Sequence, residues 1–179
     1  MKSSELKIQE KLGLAFAKRK MQELNHSNVE FLHGDILNLK NLNRKFSVIE
    51  CVGVLHHLKD PEEGLKILLS ILEPNGYLKL GLYSEFARNH IVETREFIQK
   101  QNIDSSISNI RRIREMIKKD KKNTSFQKLN YNYDFYSTSN VRDLIFHVQE
   151  HCYTLPKITK ILRKYKLEFL GFTNSLTKK

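Results

Sequence analysis

The chain has 179 residues, 40% hydrophobic and 28% charged, with a formal net charge of +11 and only two cysteines. That length supports one domain with a sizeable core, and that balance excludes an intrinsically disordered chain. No run approaches the roughly 18–20 apolar residues of a membrane-spanning helix, and the N-terminus has no apolar signal core, so a cytoplasmic protein with no membrane contact is expected. Cys51 and Cys152 form no CxxC pattern and read as reduced thiols rather than a disulfide or metal site.

Leu14, Ala17, Met21 and Leu24 recur at steps of three and four and predict a helix over residues 4–24. Val29 and Phe31 alternate with polar neighbours, a short strand that leads into Gly34 and Asp35. The run FSVIECV at 46–52 reads as a strand buried on both faces, as in a parallel sheet. Asp60, Pro61, Glu62 and Glu63 make a strong helix start, combining a capping carboxylate, a proline where no N–H is needed and two acids at the positive end of the dipole. Leu65, Leu68, Leu69 and Leu72 give that helix one apolar stripe. Glu73-Pro74-Asn75-Gly76 predicts a turn, and Leu78, Leu80 and Leu82 alternate as the following strand. Strand, helix, turn and strand make a βαβ unit with both strands parallel.

Beyond Tyr83 the pattern becomes helical and polar to residue 122, with breaks near 102–106. A loop over 123–139 follows, then a helix from Thr138 to about Gln149. A further helix starts at Thr154-Leu155-Pro156, and a last strand is expected through Leu167, Phe169 and Phe172. The charge is uneven. Residues 1–90 carry 13 Lys and Arg against 11 Asp and Glu, whereas residues 91–179 carry 18 against 9. The excess peaks between Arg111 and Lys122. It reads as a solvated helix face in preference to a nucleic-acid surface, because no aromatic residue is interleaved with those charges.

Three segments together, VEFLHGDIL (29–37), FSVIECVGVLHHLKDPEEGLKILLSILEPNGYLKLGLYS (46–84) and FHVQEHCYTLPKI (146–158), resemble a class I S-adenosylmethionine-dependent methyltransferase. The tail also resembles a subgroup in which this domain can follow tetratricopeptide repeats. The resemblance implies an α/β, partial Rossmann-like fold whose parallel sheet lacks its first two strands, with a helical C-terminal extension. It implies a cofactor-binding core at 1–84, a helical and loop insertion at 85–139, and C-terminal helices with a last strand at 140–179.

In an open parallel sheet, ligands sit at the carboxyl ends of the strands. The resemblance therefore implies S-adenosylmethionine as cofactor. Asp35 would accept from the adenine amino group, although a turn-capping role is its alternative, and Ile36 would pack on the ring. Glu50, Cys51, Val52 and Gly53 would line the methionine and methyl end. His56 and Tyr83 are the candidates near the reacting methyl group, and the methyl acceptor is unknown. His56 and His57 lack metal-ligand spacing. His147 and His151 are four apart but have no third ligand nearby in sequence, so no metal is expected.

The family's glycine-rich loop and ribose-holding acid have no counterpart here. The seven glycines include no G-x-G pair. The expectation is an N-terminally truncated methyltransferase, inactive as an isolated chain unless a second chain supplies the missing strands. The alternative is a non-catalytic basic module that contacts an acidic partner or nucleic acid.

Overall fold

The computed structural model describes residues 6–7, 11–146 and 150–173. These residues fall into two compact units, one within residues 1–82 and 147–151, the other within 83–146 and 152–179.

In the first unit, β1 (Leu6–Lys7) pairs in parallel with β2 (Glu30–Phe31), and helix α1 (Lys11–Glu23) joins them. One expectation is corrected here. The helix predicted over 4–24 does not include Leu6–Lys7, which form β1, and the β1–β2 pair is a two-stranded sheet separate from the strands that follow. After β2, a 3-10 helix at Ile36–Leu42 leads into β3 (Phe46–Val52). Helix α2 (Pro61–Ser70) then crosses to β4 (Leu72–Gly81), which lies parallel to β3 with Val48 opposite Tyr77 and Glu50 opposite Lys79. The expected βαβ unit is therefore present. Asp60 caps α2 through its carboxylate, which accepts from the amides of Glu62 at 2.9 Å and Glu63 at 3.3 Å, and Pro61 sits in the first turn. The turn predicted at 73–76 survives as an irregularity inside β4: the register steps from Phe46–Leu72 to Val48–Tyr77, and Asn75 adopts φ 61°.

Leu65 and Leu68 of α2 are buried with Ile36, Leu39, Phe46, Cys51, Leu55 and Ile71. Only one face of the β3–β4 pair joins this core. On the other face Val48 is 58% exposed and Val52 55%, and Glu50 lies in solvent between them. The strand expected to be buried on both faces is thus buried on one. Its apolar composition comes from alternation on a single covered side plus two exposed valines.

The second unit is mostly helical. The short strands β5 (Tyr83–Ser84) and β6 (Cys152–Tyr153) pair in parallel. Helices α3 (Glu85–Lys100), α4 (Ile107–Lys119), α5 (Thr124–Leu129) and α6 (Thr138–Phe146) surround an apolar cluster. Ile110, Ile117, Leu129, Phe135 and Val141 in that cluster have no exposed surface. The guanidinium of Arg95 donates to the Leu144 carbonyl at 2.8 and 3.0 Å, which ties α3 to α6. The break expected near 102–106 separates α3 from α4, and Asn102 takes φ 50° there.

The segment 123–139, expected as a loop, instead contains α5 and a 3-10 turn at Tyr133–Tyr136. Asn123 caps α5 by accepting from Ser125 N and Phe126 N, and Phe126, Leu129 and Phe135 supply apolar anchors that residue-by-residue polarity concealed. Helix α7 (Leu155–Lys164) starts under its Thr154 cap. The strand expected through Leu167, Phe169 and Phe172 is absent: these residues have no regular structure, and Phe169 and Phe172 are 54% and 71% exposed.

Candidate cofactor edge

Every candidate from Asp35 to His57 lies in the first unit, close to the carboxyl end of a strand. Asp35 follows β2 and caps the 3-10 helix, its carboxylate accepting from Leu37 N at 2.9 Å. The residue is exposed, so the carboxylate keeps a solvent-facing side while one oxygen is engaged. Ile36 is buried and reaches toward Gly64 on α2.

At the end of β3 the residues alternate as the pleat requires. Glu50 is on the open face, where its carboxylate meets Lys79 Nζ at 2.9 Å, a paired surface acid. Cys51 faces the core. Burial pushes its thiol pKa up, partly offset by a backbone hydrogen bond from Leu55, which keeps it a thiol and not a nucleophile. Val52 returns to the open face. Gly53 follows at φ 76°, a conformation strained for any side-chain-bearing residue, and no heavy atom stands within 4 Å of where a Cβ would be. The chain turns there with open space on the Cβ side, while the Gly53 N–H donates to the Gly81 carbonyl at 3.4 Å.

Beyond Gly53, a 3-10 turn at Leu55–His57 is pressed onto α2. Gly64 makes that approach possible: a Cβ on it would overlap Leu58 Cδ1 and stand 2.9 Å from Leu55 Cδ2. His56 is wholly buried, its carbonyl accepting from His151 N at 2.8 Å, and its ring meets the His57 ring edge-on at 4.3 Å. In this arrangement His56 holds the turn and presents no surface to a reacting group. Tyr83 belongs to the second unit, where the Arg88 guanidinium lies 3.7 Å from its ring centroid. His147 lies outside the described residues. Among the described residues, no three His, Cys, Asp or Glu side chains gather as a metal site would require, and no helix is long and apolar enough to cross a membrane.

A profile of methyltransferase domains matches residues 9–108, more than half of the chain and all of the elements just described from α1 to Tyr83. The chain belongs to the methyltransferase-domain family. An uncharacterised protein of a Synechococcus strain is 37% identical over 86 residues, which are 48% of this chain and 21% of that protein. A tRNA U34 carboxymethyltransferase of Campylobacter fetus is 43% identical over 56 residues, 30% of this chain and 20% of that enzyme. Among solved structures, PKMT2 from Rickettsia typhi superposes with a TM-score of 0.69 at 20% identity, covering 98% of this chain and 37% of that one. The same protein in complex with AdoHcy superposes at 0.65 with 22% identity and the same 37% share. These two likenesses establish a shared fold. The chain spans about a fifth of the length of the curated relatives and little more than a third of PKMT2.

Proposed function

We propose that the chain is part of a class I, Rossmann-like methyltransferase that uses S-adenosylmethionine, with the cofactor lying across the carboxyl ends of β2 and β3. The observation that carries this reading is the turn at Gly53. The parallel β3–β4 pair ends in a left-handed glycine with open space on its Cβ side, at the edge where open sheets take their ligands. Asp35 would accept from the adenine amino group with the carboxylate oxygen not spent on its cap. Glu50, Cys51, Val52 and Gly53 would form the methionine side, chiefly through the backbone at Val52 and Gly53. The AdoHcy complex of a protein of the same fold supports the cofactor. The likeness of residues 135–158 to tetratricopeptide-associated methyltransferases supports the subgroup.

Methyl transfer asks little acid–base work of a protein, because the sulfonium is already an activated donor and positioning does the rest. His56, being buried, serves this site by shaping the turn after β3. Positioning needs the backbone cradle that glycines allow and a carboxylate on the ribose, and the sequence has no G-x-G pair. Hydrogen bonds to a charged group are worth about 1.5–3 kcal/mol. Losing these together with the loop contacts moves a dissociation constant by several powers of ten, since each 1.4 kcal/mol is tenfold. The chain alone is therefore expected to transfer no methyl group, and a segment or second chain bearing a glycine-rich loop is the partner that completes it.

The test is transfer of labelled methyl groups from S-adenosylmethionine to candidate acceptors. Activity that appears only when a glycine-loop segment is co-expressed, and that falls about 5- to 150-fold in cofactor affinity on Asp35→Ala, is expected. Transfer by the purified chain alone, or an unchanged affinity after Asp35→Ala, contradicts the reading.

A further inference from the structure

The basic run between Arg111 and Lys122 contains no aromatic residue, yet the fold brings tyrosines to it from further along the chain. Helix α4 turns Ile110, Ile113 and Ile117 into the core of the second unit, which leaves Arg111, Arg112 and Lys119 exposed on its outer side. At its C-terminal end opens a groove of about 670 Å³, lined by Lys118, Lys121, Gln127, Asn130, Tyr131 and Tyr136.

The groove is built, not incidental. Tyr136 donates its hydroxyl to the Asn130 carbonyl at 2.7 Å, and the Arg114 guanidinium donates to the Tyr136 carbonyl at 3.0 Å. The Gln127 side-chain amide donates to the Lys121 carbonyl. On this ordered frame Tyr131 is 88% exposed and Tyr136 60%.

The charge balance is one-sided. Residues 111–128 hold eight Lys and Arg against Glu115 and Asp120. Asp120 spends its carboxylate on the amides of Lys122 and Asn123, Glu115 meets Lys118 Nζ at 3.2 Å, and Asp134, the next acid along the chain, accepts from the Asn140 amide. No other acid of the described residues forms an ion pair with this run.

We propose that this groove binds single-stranded nucleic acid. Tyr131 and Tyr136 offer the faces on which bases stack. Lys121 neutralises phosphate, joined by Lys118 as phosphate displaces Glu115 from it, and Asn130 offers its amide to sugar or base edges while Gln127 holds the Lys121 carbonyl. A positive groove with aromatic platforms is what unpaired strands require, because every base has a π-face and every nucleotide a charge. An acidic protein surface would use the lysines but leaves the exposed tyrosine faces without a purpose. An anionic membrane would ask for aliphatic insertion, and Leu129 and Phe135 beside the groove are fully buried. The inference stands apart from the cofactor reading, since it uses no residue of that edge.

The test is fluorescence anisotropy of the full chain with a labelled mixed-sequence 12-nucleotide RNA and its DNA counterpart, across a salt series. Binding is expected to weaken about 5- to 150-fold in Tyr131→Ala, the span of one stacked base, and to recover in Tyr131→Trp. Lys118→Ala with Lys121→Ala should flatten the log–log salt slope by about 0.7 per lost phosphate contact. Tyr131 is exposed, so circular dichroism of Tyr131→Ala should match the parent. Three results each overturn the proposal: no binding at 50 mM salt; binding indifferent to Tyr131→Ala; or equal competition by a polyglutamate peptide or phosphatidylserine vesicles at matched charge.

Discussion

The two units differ in how they bury apolar surface. The helical unit closes on itself: α3, α4, α5 and α6 supply isoleucines, leucines and phenylalanines that meet in one cluster, several of them with no exposed atom. The β3–β4 unit buries one face and leaves Val48, Val52 and Tyr77 in water on the other. A closed cluster answers to packing alone, whereas a half-open sheet answers to packing on one side and to ligand or partner on the other. The same amino-acid types therefore carry different consequences in the two places.

That contrast is sharpest under truncation. Phe135→Ala should destabilise the helical unit by about 3–5 kcal/mol, read as a lower denaturation midpoint, because a wholly buried ring leaves a cavity behind. Val48→Ala, on the open face, should stay within about 0.5 kcal/mol. A Val48→Ala loss of the same size as Phe135→Ala would show the sheet face to be covered after all. Gly64→Val comes next, at about 1–3 kcal/mol, since the side chain would drive into Leu58 and Leu55 and lift the turn that carries His56. Asp60→Ala should lose about 1 kcal/mol with the cap of α2. Lys79→Ala, which breaks an exposed pair with Glu50, should change stability by less than about 1 kcal/mol.

The smallest expected effect is one of pH. Burial, with Lys128 and Arg88 nearby, lowers the pKa of His90 below its ordinary value. The folded state then resists a proton that the unfolded chain accepts, so stability is greatest above the unfolded value and declines as pH falls through it toward the folded one. Denaturant midpoints at pH 7.5 and pH 5 should differ less in His90→Gln than in the parent. An equal acid loss in both would assign it to other groups.

Much of the first unit was legible in the chain. Asp60-Pro61 announced α2 because the cap, the proline and Leu65 and Leu68 agree on one helix, although Leu72, counted in its stripe, begins β4, and the alternating Leu78 and Leu80 marked the body of that strand. The core face of FSVIECV was legible, but its open face was not, because hydrophobic composition cannot report what covers a strand. The pairing of Glu50 was not legible either, because its partner Lys79 is 29 residues away. In the second unit α5 was missed because its six residues are too few for a period to show, and its anchors Phe126 and Leu129 sit among polar neighbours. The tyrosines of the basic groove escaped notice because stacking platforms need only be near in space. The last predicted strand failed because alternating apolar residues signal a strand only where a neighbour exists to pair with it, and residues 167–172 pair with no strand among the described residues.

The most direct measurement of the cofactor edge is a titration of the isotopically labelled chain with S-adenosylhomocysteine, followed by amide chemical shifts. Weak, millimolar binding is expected, with shifts concentrated at Asp35–Ile36 and Glu50–Gly53 and abolished at the adenine side by Asp35→Ala. Micromolar binding by the unaided chain, or shifts confined to residues 83–146, would contradict it.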